Sequence, residues 1–311
     1  MCSPSPFRGI GQGQVMKLTH THSLILVFAA GVLWSTVGLG IRLIQEADVG
    51  QILLYRSMSL TIFLYIVIRI HSSNTPFVQV RRTGLPGVIA ALSLVVAYAG
   101  GIYAIQTTSV ANAMLLFASA PFLAAVLGWG ILRERVHGGT WIAIFFAIVG
   151  IGIMVGNQTF GGSLKGSFAA LGSALGFAAF TVTLRWGKES EMLPSVFLSG
   201  IFGIVITATI CIGLGLPLAI SAQDSGISIG MGIFQVGAGL VLYTLGSKAL
   251  PAVELTLMSL AEVLLAPLWV WLLLGETVTS NTLAGGCVLL GAVAGNAIFS
   301  ARVRSTAIAS G

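Results

Sequence analysis

The chain has 311 residues, of which 56% are hydrophobic and 8% are charged, and its mean hydropathy is +0.99. Soluble globular proteins carry about 25% charged residues, so this composition excludes that class and indicates a polytopic membrane protein. The formal net charge of +6 does not indicate nucleic-acid binding, because the basic residues are placed as a membrane topology requires. The three cysteines lie far apart and predict neither a disulfide framework nor a metal site.

Ten apolar runs follow one another along the chain. Residues 1–23 are polar and are expected to form a cytoplasmic tail, and the first run, 24–44, is too long for the core of a signal peptide. The nine further runs cover residues 50–70, 85–104, 109–132, 140–156, 166–186, 194–216, 226–247, 250–274 and 281–300. Their short connections leave no room for a soluble domain, and residues 301–311 form a second tail. The predicted fold class is therefore all-α, with ten transmembrane helices.

Most of the basic residues fall on one side of the membrane when the amino terminus is placed in the cytoplasm. They are Arg8, Lys17, Arg69, Arg81, Arg82, Arg133, Arg135, Arg185, Lys188, Lys248, Arg302 and Arg304, twelve of the fifteen lysines and arginines. Arg42 and Lys165 lie at the outer side, and Arg56 lies within the second run. Because cytoplasmic loops are enriched in Lys and Arg, we expect a multi-pass protein of the plasma (inner) membrane with both termini cytoplasmic.

Residues 109–136 repeat further along the chain at an offset of 142 positions, the separation of Glu134 from Glu276. The coinciding pairs are Leu123/Leu265, Ala124/Ala266, Trp129/Trp271, Leu132/Leu274, Glu134/Glu276, Val136/Val278 and Thr140/Thr282. Each half holds five helices, an odd number, so the second half enters the membrane from the other side. Two inverted-topology five-helix repeats are typical of secondary transporters, whose substrate site lies near the midplane between the halves.

Several motifs carry a family likeness: the helix ends WGILRERV and WVWLLLGETV, LWST at 33–36, YRSMSL at 55–60, and the AEVLLAP run. On these motifs the ten runs together resemble the EamA-type transporters of the drug/metabolite transporter superfamily. The family often shows Glu-Pro-Val where this chain has Glu262 followed by Val263, with Pro267 about one turn later. The resemblance implies EamA-like repeats at 24–156 and 157–300 and a secondary carrier for small metabolites, often an exporter of amino acids or related compounds.

Two glutamates lie in or beside the apolar run 250–274. A charged group near mid-membrane costs roughly 2.5–3.5 kcal/mol, so such a carboxylate usually faces a protein interior or a wet cavity. Glu262 is the first candidate for a transport site, either as an acid that exchanges a proton or as an ionised group that binds an amino group. Ser259, three residues earlier, shares its helix face. A structural role is the alternative for Glu262, and Glu254 suits a second site or a solvated rim equally well.

Arg56 lies about six residues into the second run, roughly 9 Å below the outer surface at 1.5 Å per residue. Such an arginine can bind an anionic group of a substrate or pair with an acid of another helix, for example Glu262. It can also extend its long side chain to the interfacial water. The sequence leaves these three roles open.

Polar and aromatic residues in other runs are further candidates for the site. Asn112 and Ser119 are seven positions apart and so share a face of the fourth helix, the counterpart of the ninth. Additional candidates are Gln235, Tyr243, Tyr98 and Trp34, each of which also fits a structural or interfacial role. Pro121 and Pro267 can kink the fourth and ninth helices where a cavity needs it, and a tolerated kink without a functional role is the alternative.

Glu134 and Glu276 repeat, but they lie at helix ends on opposite sides of the membrane. We therefore expect them to cap helices or anchor loops rather than to bind substrate. The four histidines show no metal-binding spacing, and no phosphate-binding glycine loop with a lysine is present in the sequence. The sequence thus predicts no metal, no cofactor, no catalytic residues and no nucleic-acid partner.

These observations favour a secondary active transporter of small polar metabolites, amino-acid-like compounds or drugs. It is expected to act as an exporter or exchanger by alternating access, with proton coupling at the midplane site. A membrane enzyme acting on lipid-linked substrates is one alternative, although the sequence lacks clustered acids and bases at an interface. A channel or structural membrane protein is the other. The expected partners are a small-molecule substrate and the lipid bilayer, and a homodimer stays open.

Overall fold

The structure is a computed structural model that describes residues 20–72, 75–134, 136–156, 162–187, 192–247 and 250–309. Every regular element in this part of the chain is helical. The elements are α1 (His20–Ser35), α2 (Val37–Arg42), α3 (Val49–His71), α4 (Pro76–Thr107), α5 (Val110–Phe117), α6 (Ala120–Leu132), α7 (Gly138–Val155), α8 (Gly162–Trp186), α9 (Leu193–Gly213), α10 (Ala222–Gly230), a π-helix (Met231–Ala238), α11 (Gly239–Ser247), α12 (Ala252–Leu274) and α13 (Ser280–Ala309). For a few helical residues, Ser259 among them, the description covers the backbone but not the side chain.

These elements form ten membrane spans in two sets of five. The first set is α1–α2, α3, α4, α5–α6 and α7, and the second is α8, α9, α10–α11 with the π-helix, α12 and α13. Within the described residues, nine spans are long and apolar enough to cross a bilayer, while in α12 the apolar stretch is the shorter segment Leu260–Leu274. The predicted all-helical fold of two inverted five-helix repeats is confirmed.

Successive spans cross in opposite directions, so the helix ends fall on two faces of the molecule. We call the face where α1 begins at His20 the terminal face, because α13 also ends there. The other face, where α2 ends at Arg42, is called the opposite face. That the terminal face is cytoplasmic stays a prediction from the distribution of Lys and Arg.

The packing of the helices follows the repeat. α4 packs on α8, and the counterparts of these two helices, α11 and α1, also pack on each other. α6 packs on α8, as α12 packs on α1, and α7 pairs with α13. Each of these contacts joins the two halves, so replacing every helix by its counterpart preserves the arrangement. This is the pseudo-twofold relationship expected of an inverted repeat.

The fourth span is broken where a proline was expected to kink it. α5 ends at Phe117 and α6 begins at Ala120, with Pro121 at the second position of α6. A proline suits the first turn of a helix because the N–H it lacks has no partner there. α12 continues through Pro267 without a break, and a kink there stays a prediction. In a membrane helix, neighbouring helices can compensate the single backbone hydrogen bond that a proline removes.

α4 begins at Pro76, earlier than the apolar run 85–104 suggested. The added turns contain Gln79, Arg81 and Arg82, so hydropathy alone excluded them. Gly84 joins these turns to the rest of the helix with φ 60° and ψ −148°, a conformation that only glycine adopts readily. The polar turns therefore form at an angle to the membrane-crossing part of α4.

Candidate functional site

A cavity of about 470 Å³ lies between the two repeats. Its wall is mainly apolar and includes the aromatic residues Trp34, Tyr98, Phe117, Phe177, Phe180 and Tyr243. The wall runs from Ile105 near the opposite-face end of α4, which is buried, to Leu184 and Met192 near the terminal face, which are partly exposed. The cavity is therefore more accessible from the terminal face. A mainly apolar cavity of this volume with a few polar groups suits a small organic molecule.

Arg56 is a buried cation in the wall of this cavity. It is the eighth residue of α3, and only 5% of it is exposed. Its guanidinium carbon lies 4.6 Å from the centre of the Tyr98 ring, within the range of a cation–π interaction. Its Nε is buried without a hydrogen-bond partner among the described residues. This burial argues against extension to interfacial water and places a positive charge where a ligand can reach it.

Glu262 is the eleventh of the 23 residues of α12, and its half-buried side chain lines the same cavity. α1 can approach α12 closely because it carries Gly31 here, where an added Cβ would lie 3.6 Å from the backbone oxygen of Met258. The ion pairs found in the described part of the chain are His20–Glu254, Arg42–Glu276 and Arg185–Glu134. Arg56 and Glu262 therefore share a cavity without forming an ion pair.

Gln235 lies in the π-helix Met231–Ala238, a wider helical turn of the kind that often occurs at functional sites. Its Nε2 donates a hydrogen bond to the backbone oxygen of Trp34 at 3.5 Å. Its Oε1 is buried and has no hydrogen-bond partner among the described residues. The indole of Trp34 packs against the ring of Tyr243, with ring centres 5.3 Å apart. These three residues supply an acceptor and two rings to the cavity wall.

Asn112 and Ser119 are buried but do not line the cavity. The Asn112 Nδ2 donates hydrogen bonds to Thr108 Oγ1 at 3.1 Å and to Ser167 Oγ at 2.8 Å, which links α5 to α8. The Ser119 hydroxyl donates to the backbone oxygen of Leu116 at 2.7 Å, next to the break between α5 and α6. Both side chains make structural hydrogen bonds in this conformation.

Glu254 lies in the first turn of α12, at the terminal face. Its Oε2 is 2.9 Å from Nε2 of His20, and the residue lies outside the cavity wall. The side chain of Ser259 is outside the described part of the chain. The structure thus brings six of the ten sequence candidates to one cavity: Glu262, Arg56, Gln235, Tyr243, Tyr98 and Trp34.

Sequence reasoning missed the side of the cavity that α8 forms. Ser173 and Thr181 line it, and the Ser173 hydroxyl donates to the backbone oxygen of Ala97 on α4 at 2.6 Å. α4 and α8 are in backbone contact, since an added Cβ on Gly176 would lie 2.8 Å from the backbone oxygen of Ser93. A helix rich in Ala, Gly and Ser carries no distinct polar stripe, so its sequence did not indicate which face meets a ligand.

Three ion pairs join the repeats: Arg42–Glu276 at the opposite face, and Arg185–Glu134 and His20–Glu254 at the terminal face. At the opposite face, Arg42 Nε donates to Glu276 Oε2 at 2.9 Å. The other carboxylate oxygen of Glu276 accepts a hydrogen bond from the backbone N–H of Val110, the first residue of α5, at 2.7 Å. The capping role expected for Glu276 is thus confirmed. At the terminal face, Arg185 Nη1 donates to Glu134 Oε2 at 2.6 Å.

Two segments of the chain, residues 21–156 and 164–298, match the profile of the EamA-like transporter family. Solute carrier family 35 member G1 of Homo sapiens is 29% identical over 231 residues, which cover 69% of this chain and 61% of that protein. Uncharacterized transporter YwfM of Bacillus subtilis (strain 168) is 24% identical over 191 residues, covering 60% of this chain and 64% of that protein. The matched region thus spans less than two thirds of each relative.

A solved crystal structure of a protein superimposes on this fold with a TM-score of 0.61. The superposition covers 91% of this chain and 99% of the other chain, at 16% sequence identity. At that identity the likeness shows the fold alone.

Proposed function

This chain belongs to the EamA-like transporter family, and on that basis we propose that it is a secondary active transporter of small polar metabolites. The proposed substrates are amino-acid-like compounds or drugs, carried as an exporter or exchanger. The transporter names of its relatives support a carrier over a membrane enzyme acting on lipid-linked substrates. The proposal includes repeats at 24–156 and 157–300 and a place in the plasma membrane with both termini cytoplasmic.

One observation carries the proposed substrate class: a buried cation and a carboxylate line one cavity without pairing. At about 1.5 Å per residue, Arg56 and Glu262 lie roughly 10 Å and 18 Å from the opposite-face ends of their helices. The difference in depth is roughly 8 Å. An amino acid that makes a hydrogen bond of about 3 Å at each end can bridge it. Its carboxylate would bind Arg56 beside Tyr98, its amino group would bind Glu262, and the aromatic wall would enclose its side chain.

Proton coupling follows if substrate and proton compete for Glu262. With substrate bound, the amino group compensates the carboxylate, and with the site empty a proton does so. With either substrate or proton bound, the protein avoids an uncompensated negative charge in the membrane interior. Substrate and proton then cannot bind Glu262 at the same time, so the carrier moves them in opposite directions.

The inverted repeat supplies the conformational change. The cavity extends towards the terminal face in this structure, and an exchange of conformations between the two halves would extend it towards the opposite face. With the terminal face in the cytoplasm, the structure corresponds to an inward-facing form.

The test is transport by the purified full-length protein in liposomes. A mixed pool of amino acids, related metabolites and organic anions is offered with and without an inward proton gradient, and accumulation is measured by mass spectrometry. We expect at least one zwitterionic compound to accumulate above the level of protein-free liposomes and to respond to the gradient. Transport confined to uncharged compounds, or no transport by protein shown to be folded and inserted, would contradict the proposed substrate class.

A further inference from the structure

The two arginine–glutamate ion pairs between the repeats are symmetry counterparts. Arg42 and Arg185 end the first span of each repeat, and Glu134 and Glu276 follow the fourth. Each pair joins an arginine of one repeat to a glutamate of the other. The side chains are 27% and 24% exposed in the Arg42–Glu276 pair but 43% and 41% exposed in the Arg185–Glu134 pair. Symmetry-related contacts that differ in burial indicate that the two faces are in different states.

At the opposite face, the ion pair also holds a third element, the start of α5. Glu276 accepts the Val110 N–H at 2.7 Å, and Arg42 Nη2 donates to the backbone oxygen of Thr108 at 2.7 Å. Hydrogen bonds that involve a charged group are roughly twice as strong as neutral ones. The pair therefore holds the ends of α2 and α12 and the start of α5 together. Met114, one turn further along α5, is buried and lines the cavity beneath this contact.

A second contact between the repeats reinforces the opposite face. The buried carboxylate of Asp224, on α10 of the second repeat, lies against the loop between α2 and α3 of the first. It accepts hydrogen bonds of 3.1 Å from the backbone N–H groups of Gln45, Glu46 and Ala47. The opposite face is thus closed by charged groups that bind the backbone of the other repeat.

At the terminal face, the equivalent arginine–glutamate pair is more exposed, and a further ion pair joins His20 of α1 to Glu254 of α12. In the repeat, Val110 corresponds to Ala252, the first residue of α12. At this face, Glu134 Oε2 accepts a hydrogen bond from Arg185 Nη1 at 2.6 Å. The cavity wall extends towards this same face, where it includes Leu184. The more buried arginine–glutamate pair lies at the face beneath which Met114 is buried, and the more exposed pair lies at the face that Leu184 of the cavity wall approaches.

We propose that Glu276 and Glu134 are alternating gate residues. Glu276 keeps the opposite face closed by capping α5, and Glu134 closes the terminal face in the other half of the cycle by capping α12. This inference rests on the proposed transport function but requires no particular substrate or coupling ion. Each glutamate stabilises one of two conformations, so removing it shifts the population towards the other.

The test measures access to the cavity without any substrate. In a background with Cys2, Cys211 and Cys287 replaced by alanine, the substitution Met114→Cys places one thiol beneath the opposite-face ion pair. A membrane-impermeant maleimide is applied from each side in turn, with right-side-out and inside-out vesicles. We expect Glu276→Gln to raise the labelling rate from the opposite face about tenfold. We expect Glu134→Gln to lower it, because the form open at the opposite face loses its closed terminal gate.

A matched variant keeps the test decisive if Glu276→Gln does not fold. Arg42→Gln removes the other member of the same pair and is expected to raise labelling in the same direction. The proposal is overturned if folded Glu276→Gln and Arg42→Gln leave the labelling rate unchanged. It is also overturned if Glu134→Gln raises labelling as much as Glu276→Gln, since that result indicates general loosening. Failure of the proposed substrate class would show in transport assays and leave this labelling pattern intact.

Discussion

Arg133 and Gly275 adopt equivalent left-handed conformations, with φ of 55° and 68°, at the carboxyl ends of α6 and α12. They are 142 positions apart, as are Glu134 and Glu276, which directly follow them. A left-handed residue is a common way to end a helix, and it turns the chain so that the next residue can leave the helix axis. Here the next residue is the glutamate that pairs with the other repeat.

This equivalence predicts opposite stability effects at the two positions. Arg133 is the only non-glycine residue with positive φ in the described chain, a conformation that costs an L-residue roughly 1–2 kcal/mol. Arg133→Gly should therefore raise the free energy of unfolding by about 1 kcal/mol, and Gly275→Ala should lower it by a similar amount. Thermal unfolding in detergent measures both. A shift of the melting temperature in the same direction for both variants would contradict the assignment.

The internal repeat shows which features of the fold could be predicted from the sequence. The paired Trp and Glu letters at an offset of 142 predicted two related halves, because matches in register over a whole segment indicate an internal repeat. They did not predict that the ion pairs of Glu134 and Glu276 would be exposed to different extents. That difference belongs to the conformation, since one sequence repeat can occupy two states.

The candidate site likewise contains residues that the sequence predicted and residues that only the structure shows. Glu262 and Arg56 were found from sequence because a charge within an apolar run is costly and therefore conspicuous. Asn112 has the same polar signature but forms hydrogen bonds to α8, so polarity alone could not separate a ligand-facing from a structural side chain. Ser173 was missed because a serine in a helix of small residues gives no periodic signal. Only the packing of α4 on α8 shows which of its faces meets the cavity.

Arg56 offers the most direct test of the anion-binding half of the site. Arg56→Gln keeps a polar side chain but removes the charge, so we expect the KM for a carboxylate substrate to rise about tenfold or more. Arg56→Lys should recover only part of the loss, because an ammonium group lacks the planar fork that matches a carboxylate. Tyr98→Phe, which keeps the ring beneath the guanidinium, is the matched control and should stay near wild type. An unchanged KM in Arg56→Gln would show that the substrate's anionic group binds elsewhere.

The contact between α7 and α13 gives a stability test with an internal control. An added Cβ on Gly150 would lie 2.7 Å from the backbone oxygen of Gly285, so Gly150→Ala must push the helices apart. We expect a loss of about 1–3 kcal/mol in the free energy of unfolding. On the same helix, an added Cβ on Gly152 would meet no described atom within 4 Å. Gly152→Ala should be neutral or stabilising by up to about 1 kcal/mol, because alanine is the better helix former.

The melting temperatures of the two alanine variants in the same detergent decide this prediction. Destabilisation by Gly150→Ala alone supports the close backbone contact between the repeats. Equal effects from both substitutions would show that the contact does not set the stability of the protein.

Glu262, the acid in the cavity wall, has the central role in the proposed transport mechanism. Glu262→Gln keeps the size of the side chain and removes both the charge and the exchangeable proton. Glu254→Gln, on the same helix but outside the cavity wall, is the matched control. If Glu262 binds substrate and proton in turn, its substitution should abolish the response of transport to a proton gradient, while the control responds as wild type does.

The decisive measurement is uptake of the identified substrate into liposomes by wild type, Glu262→Gln and Glu254→Gln, with and without an inward proton gradient. We predict gradient-dependent uptake by wild type and Glu254→Gln, and uptake by Glu262→Gln that is at least tenfold slower or independent of the gradient. Wild-type rates and an unchanged gradient response in Glu262→Gln would contradict this prediction, and would make Glu262 a structural residue of the cavity wall.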